Sequence, residues 1–240
     1  MHKETAPCGA VGPEMLSPAG LSQAYNARPV NGKEERVPRI YVYIDGFNLY
    51  HGMRTQFGRS LHWLDLEALG ESLLRPGQQL EKVRYFTARV RDQDASRRRQ
   101  LAYLEALKAH CALVETHEGR FQRKTCTCFV CRARWTTYEE KETDVSLAVA
   151  LVEDAALDRF DVALIISADS DLCPAIRAVR RVRPSSRVIV VFPPRRHSDE
   201  LRRTADAVYW LGRDKLSRAQ LPAEINTQAG IKLSRPAYWR

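Results

Sequence analysis

Acidic side chains gather at three places in this chain, each in a setting that can aim them at a common point. The apolar run Ile40-Tyr41-Val42-Tyr43-Ile44 ends in Asp45-Gly46-Phe47-Asn48, and the run Val162 to Ser167 is followed by Ala168-Asp169-Ser170-Asp171. Between them lies Glu139-Glu140-Lys141-Glu142-Thr143-Asp144, at the head of a segment with helical spacing. Each cluster taken alone has an ordinary explanation. Asp at a strand end caps the following helix, and acids in a first helical turn are favoured by the macrodipole. Together they allow chemistry, because carboxylates packed side by side repel unless a cation sits among them. Hard divalent ions such as Mg2+ or Mn2+ take oxygen ligands. One or two such ions can activate a water and stabilise the leaving oxygen in phosphodiester cleavage.

Convergence requires a scaffold, and the pattern supplies one. Strands are expected at 40–44, 83–88, 112–115, 162–167, 187–192 and 207–211, as β-branched or continuous apolar runs. Helical spacing fills the gaps at 64–74, 94–110, 139–157, 172–182 and 199–203. Apolar strands alternating with helices predict an α/β fold, a Rossmann-like parallel sheet flanked by helices. In such a sheet the site lies beyond the carboxyl ends of the strands, where Asp45, Asp169 and Asp171 fall. Residues 1–38 hold five of the twelve prolines and no helical or strand period, so they read as a disordered leader. The domain then spans 39–212, with a Cys-rich insertion at about 117–135. Residues 213–240 read as a tail or a small appended element.

The three motifs, Tyr43-Ile44-Asp45-Gly46-Phe47-Asn48-Leu49, Glu140-Lys141-Glu142-Thr143-Asp144-Val145 and Leu164 to Leu172 with Pro174-Ala175-Ile176, resemble the NYN domain. That family is a branch of the PIN-like ribonuclease superfamily. The resemblance implies a PIN-like fold and a metal-dependent endoribonuclease centre acting on RNA. By motif position, Asp45, Asp144, Asp169 and Asp171 would be the catalytic acids and would hold Mg2+ or Mn2+. Asn48 would orient the first Asp or touch substrate. Glu140, one helical turn before Asp144 on the expected helix, is a fifth contributor, and Thr143 is a candidate phosphate contact. Ser167 and Ser170 read as loop hydrogen bonders.

Cys126-Thr127-Cys128-Phe129-Val130-Cys131 holds a Cys-x2-Cys pair plus a third thiol, the spacing of a zinc knuckle short of one ligand. His117 is the preferred fourth ligand, with His110 and Cys111 as alternatives; free thiols on a reduced loop are the plain reading. Around the cysteines stand Arg120, Arg123, Lys124, Arg132 and Arg134, with Phe121, Phe129 and Trp135 available for base stacking. A solvated loop whose aromatics fill a local core fits the same residues.

The whole chain carries 38 basic and 29 acidic residues, net +9, and the basic set is 30 Arg to 8 Lys. Arginine's planar fork suits phosphate, although a genomic preference for Arg codons gives the same count. No apolar stretch approaches the roughly 20 residues of a membrane helix, and no secretory signal is readable, so no membrane partner and a cytoplasmic location are expected. A P-loop is absent, and the haloacid dehalogenase pattern fails at Phe47, where a second Asp belongs. A homo-oligomer is compatible with the sequence. The competing function on the same fold is a non-catalytic RNA-binding or regulatory interaction module.

Overall fold

Strand β1 (Arg39–Asp45) is buried on both faces along most of its length, which is why its sequence is continuously apolar rather than alternating. The structure is a computed structural model that describes residues 36–90 and 94–239. The leader expected over 1–38 therefore lies almost wholly outside the described residues. Strand β1 pairs in parallel with β2 (Gln79–Ala88) on one side and with β5 (Val162–Ile166) on the other. Strands β3 (Val114–Thr127), β6 (Arg187–Phe192) and β7 (Ala207–Trp210) extend the parallel sheet, and β4 (Arg134–Lys141) closes one edge antiparallel to β3. The order is β4-β3-β2-β1-β5-β6-β7. The six parallel strands thus follow the doubly wound plan, with the winding direction reversing between β1 and β5.

Helices α1 (Gly46–Phe57), α2 (Leu66–Ser72) and α3 (Asp94–His110) connect the β1, β2 and β3 strands, and α4 (Thr143–Ala156), α5 (Cys173–Val182) and α6 (Asp199–Thr204) serve the other half. Side chains alternate along a strand, so Tyr43, Ala163, Ile165, Val188 and Val190 face one side, where they pack with Leu147, Leu151, Ile176 and Val179 of α4 and α5. Asp154 lies fully buried at the edge of this core, accepting bonds from Tyr43 Oη (2.7 Å), Arg84 Nη2 (2.9 Å) and Arg159 Nη1 (2.8 Å). A charge without water needs such partners to persist.

Gly46 shows why the turn after β1 carries Asp-Gly. A Cβ there would sit 2.6 Å from the Phe86 carbonyl oxygen, so only glycine lets α1 start against β2. Beyond the sheet, α7 (Arg213–Arg218), the hairpin of β8 (Glu224–Asn226) and β9 (Lys232–Ser234), and a 3-10 turn at Ala237–Trp239 form the appended segment. Leu216, Leu221, Ile225, Leu233 and Trp239 are buried, and Trp63 Nε1 donates to the Pro222 carbonyl at 2.7 Å. Among the described residues no helix is long and apolar enough to cross a membrane.

Two expectations differ from the structure. The short strand at 112–115 is a 14-residue strand, and the Cys-bearing stretch at about 117–135 is the outer part of a β3–β4 ribbon rather than an irregular loop. Its aromatic and β-branched residues, Trp135-Thr136-Thr137-Tyr138, pair with Cys126 to Arg123 and favour strand over helix. The helix expected from 139 consequently begins at Thr143.

Candidate active site

The site is built from the reversal point of the sheet. The register that pairs Ile44 with Ile166 brings the next residues, Asp45 and Ser167, side by side at the carboxyl ends of β1 and β5. Asp45 is buried, and three donors hold its carboxylate. Asn48 gives its backbone N–H to Oδ1 (2.9 Å) and its Nδ2 to Oδ2 (2.7 Å), while Ser167 Oγ donates to Oδ2 at 2.8 Å. The helix-cap reading of Asp45 is therefore correct as far as it goes, and Asn48 has the orienting role expected of it. The same Ser167 oxygen accepts the backbone N–H of Asp169 at 3.1 Å, so one hydroxyl ties the two strand-end loops together. Asp169 in turn caps the short turn of Ser170–Leu172 by accepting from Asp171 N at 2.9 Å.

The fourth acid comes from α4, which packs on the side of the sheet that Tyr43 faces; by strand alternation Asp45 shares that side. Asp144 stands in the first turn of α4 with its carboxyl pushed up to about 6. The first cause is partial loss of its hydration, followed by the charges of Asp45, Asp169 and Asp171. Three of the sequence-predicted acids thus act on the fourth, Asp144, at one edge of the sheet. Before α4, Glu142 holds a left-handed backbone (φ 80°) and pairs with Arg120 Nε at 2.6 Å. Thr143 is buried, and its Oγ1 has no hydrogen-bond partner, so the candidate phosphate contact is a polar group still unsatisfied beside the acids. Glu140 is corrected: it lies on β4 opposite Phe121, not on the helix one turn before Asp144.

Two residues near the acids lacked a motif to reveal them. Arg196, on the loop after β6, donates from Nη1 to Asn48 Oδ1 at 3.4 Å and is the cation that faces this edge through Asn48. That loop lies close on α1, because Gly52 offers no Cβ to the Pro194 carbonyl. His51, on α1, is held below its ordinary value by shielding of its ring and by Arg196, against the opposite pull of Asp45. Both are reached through tertiary packing alone, although Arg195-Arg196 is visible in the sequence as a basic pair.

As a home for Mg2+ or Mn2+ the donor set fits in chemistry and charge: hard carboxylate oxygens of like charge, with the Asp144 carboxyl raised first by burial and then by the other three. Among the described residues, no group of three or more His, Cys, Asp or Glu side chains is drawn together closely enough to hold a metal ion. Mg2+ commonly keeps several waters and takes only one or two protein carboxylates, the rest coming from substrate phosphate, so a closed cage of three or more acids is not required of this edge.

The zinc reading fares differently. His117 is stacked on Phe86 (centroids 4.7 Å apart) within the parallel part of β3, and Nε2 lies 3.4 Å from Glu115. Cys126 is nine residues further along the same strand, roughly 25–30 Å at about 3.3 Å per residue. His117 therefore does not reach the thiols, and His110 and Cys111 lie before β3, on the far side of His117. The cysteines as placed do not fit a closed zinc site. The Cys128 thiol is lowered by hydrogen bonds from the backbone of Cys131 and of Val130 and then from the Cys131 side chain, both cysteines being free.

Among the proposed RNA contacts, Arg120, Lys124, Arg132, Arg134 and Trp135 are exposed on the ribbon, while the side chains of Arg123 and Phe121 lie outside the described set. Phe129 and Val130 at its tip are 95% and 92% exposed, so these residues do not fill a local core.

The model of the NYN domain family matches residues 39–212. This chain belongs to the NYN family. Its fold is accordingly PIN-like, the nuclease-type architecture that the motifs implied. A solved protein of unknown function from Vibrio parahaemolyticus superposes with a TM-score of 0.52 at 15% identity, covering 76% of this NYN chain and 98% of its own, and shares the fold. A curated relative, the 6-hydroxy-3-succinoylpyridine 3-monooxygenase HspA of Pseudomonas putida, is 30% identical over 191 residues. The match takes in 65% of this chain and spans 59% of the length of that relative.

Proposed function

We propose that the protein is a metal-dependent endoribonuclease that hydrolyses RNA phosphodiester bonds. The observation that supports this reading is the placement of Asp45, Asp144, Asp169 and Asp171 along one edge of the sheet at its reversal point, where burial first and then the charge of the other three raise the Asp144 carboxyl. Asp45, Asp144, Asp169 and Asp171 would hold Mg2+ or Mn2+, which when bound supplies an activated water and a counter-charge for the leaving oxygen. The chain's own residues prepare that centre. Asn48 and Ser167 fix the Asp45 carboxylate before substrate arrives, so no reorientation is needed during reaction. Thr143 Oγ1 offers a buried, unpaired hydroxyl for a phosphate oxygen. Arg196, the ribbon arginines and Trp135 supply positive charge and a stacking surface for a single strand.

The test is cleavage of a pool of cellular RNAs by the purified full chain with Mn2+ or Mg2+, with and without chelator. Asp169→Asn abolishes cleavage while leaving the circular dichroism spectrum and RNA affinity in place. Undiminished cleavage by that variant overturns the assignment. RNA binding with no cleavage by the unaltered chain leaves the non-catalytic module instead.

A second reading follows from the name of the Pseudomonas relative, a monooxygenase of a pyridine. The observation on its side is an aromatic-lined cavity behind Asp45, described below. Oxygen consumption matched by oxidation of an added two-electron reductant, a reduced nicotinamide nucleotide, on addition of 6-hydroxy-3-succinoylpyridine, in a preparation that leaves RNA intact, would select it.

A further inference from the structure

Behind the acidic edge, between α1, α3 and the end of β2, lies a cavity of about 300 Å³. That is the small end of ligand pockets, which run roughly 300–1,000 Å³. Its walls include Phe47, Tyr50, Tyr85, Tyr103 and Trp239, an unusual density of flat apolar surface for one small space. It opens next to the acids, because Gly46, which follows Asp45, forms part of the wall, and so does His51, which feels the charges of both Asp45 and Arg196.

Two features show that the space is equipped for more than apolar filling. His62 lines it while only 4% exposed, between Tyr50 (centroids 4.8 Å apart) and Trp239 (5.9 Å). The His62 Nε2 lies 3.1 Å from the Gly58 carbonyl, an acceptor only, so Nε2 carries the proton. Nδ1 is then a bare acceptor, and it is buried with no partner. Leaving such a group unpaired has a cost that a ligand with an N–H or O–H donor would remove.

The second feature is the rim. Arg59 and Arg99 hold their guanidinium carbons 4.3 and 4.1 Å from the centroid of Tyr238, with Arg54 at 5.8 Å and donating to the Tyr238 hydroxyl at 3.3 Å. Three cations share one ring, and among the described residues none of the three is ion-paired with a carboxylate. Cation–π attraction to a half-buried ring is weak beside a charge-assisted hydrogen bond, so the cluster lacks its natural partner, an anion. Arg99 belongs to both features, since it also lines the cavity.

We propose that the cavity and its arginine rim form a binding site for a flat nitrogen heterocycle carrying an anionic group. The ring occupies the aromatic cavity and gives a hydrogen bond to His62 Nδ1, and the anion is taken by Arg54, Arg59 and Arg99. Two sources share this chemistry: a nucleotide of an RNA strand and a free heteroaromatic acid. The first rests on the nuclease reading above; the site itself does not.

Calorimetric titration of the full chain in chelator, where no metal-dependent cleavage occurs, tests the site. The probes are adenosine and uridine 5′-monophosphates, 6-hydroxypyridine-3-carboxylate, whose hydroxyl or pyridone N–H supplies the donor, the neutral nucleosides, and ribose 5-phosphate. We expect one charged heterocycle to bind once per chain, with the neutral ring and the ringless phosphate each about tenfold weaker or more. Arg59→Ala with Arg99→Ala weakens the charged probe by about tenfold and leaves the neutral ring unchanged. His62→Phe, which keeps the shape and removes the acceptor, weakens both; if that variant does not fold, the two arginine changes and the ring-against-phosphate comparison still decide. Preference for the monophosphates assigns the nucleotide source, and preference for 6-hydroxypyridine-3-carboxylate assigns the free acid. Absence of saturable binding by all three charged heterocycles at millimolar concentration overturns the proposal, as does binding indifferent to the arginine pair. Binding without RNA cleavage in the separate metal assay removes the nuclease reading and keeps the site; cleavage without binding does the reverse.

Discussion

Ser167 is the residue on which the architecture of the acidic edge can be tested most directly, because one hydroxyl serves both strand-end loops. It is fully buried, donates to the Asp45 carboxylate at 2.8 Å and accepts from the Asp169 backbone at 3.1 Å. Ser167→Ala removes both bonds with almost no change in volume, so cavity formation contributes little. A hydrogen bond to a charged group is worth about 1.5–3 kcal/mol net, and the loss is felt in full where the carboxylate stays buried. The expected destabilisation is about 2–3 kcal/mol, or a fall in Tm of about 5–10 °C for a folded unit of this size. Urea denaturation measures it as a lower midpoint at unchanged slope. The neighbouring Ser170→Ala, at an exposed hydroxyl, stays within about 0.5 kcal/mol. A cycle with Asp45→Ala adds the decisive comparison, since the Ser167 effect shrinks once the carboxylate is gone. An unaltered midpoint for Ser167→Ala, or the same loss with and without Asp45, would refute the idea that this hydroxyl holds the acid in place.

Gly46→Ala drives a methyl to 2.6 Å from the Phe86 carbonyl and costs about 1–3 kcal/mol, read as a lower denaturation midpoint. Asp154→Ala strands Arg84 and Arg159 beside a buried gap and costs about 3–5 kcal/mol by the same measurement, more than any single change at the exposed ribbon. Asp144 has a folded value of about 6 against the ordinary 3.8, so between those pH values the folded chain binds more protons than the unfolded chain, and stability falls as pH rises through the window. In metal-free buffer the Tm of the natural chain relative to Asp144→Asn therefore improves from pH 7 to pH 5; a difference that is flat with pH contradicts the clustering of the acids. Replacing Arg132 and Arg134 together by Ala lowers the salt dependence of RNA binding by about two phosphate contacts without changing the fold, measured as the slope of log affinity on log salt.

What could be read in the sequence follows from how far each signal reaches along the chain. β1, β5 and β6 declare themselves because a strand buried on both faces must be continuously apolar, and Asp45-Gly46 marks a turn that only glycine can make against Phe86. Asp45, Asp144, Asp169 and Asp171 were legible because strand ends and a helix start are local, and a doubly wound sheet brings them together by topology alone. The β3–β4 ribbon was obscured by its own composition. Arg, Lys, Thr and Cys alternate there without a buried face, so polarity reads as loop and Glu139 to Glu142 reads as the first turn of α4. Glu140 was misplaced for that reason, and His117 was paired with thiols that an extended strand carries away from it.

The net charge of +9 also takes a definite shape in the fold. The acids lie at the reversal point, and Asp45 among them is fixed by neutral donors, Asn48 and Ser167; among the described residues salt-bridging arginines are spent on Asp154, Asp158 and Asp161 instead. An acid held by a neutral donor keeps its charge available to a cation, whereas an acid paired with Arg has already been neutralised. Arg54, Arg59 and Arg99, conversely, face no acid among the described residues and gather round a tyrosine. Opposite charges that could have cancelled are thus kept apart, on either side of an aromatic cavity. In a chain with 29 acids and 38 bases, that separation is what a ligand with one anionic group and one site for a cation-assisted reaction would require. Charge-reversing Arg59→Glu should therefore weaken binding of anionic ligand without touching the acidic edge. If instead it shifted the pH dependence of Asp144, read from the Tm difference above, the two regions would be one electrostatic site and the separation would be an illusion of distance.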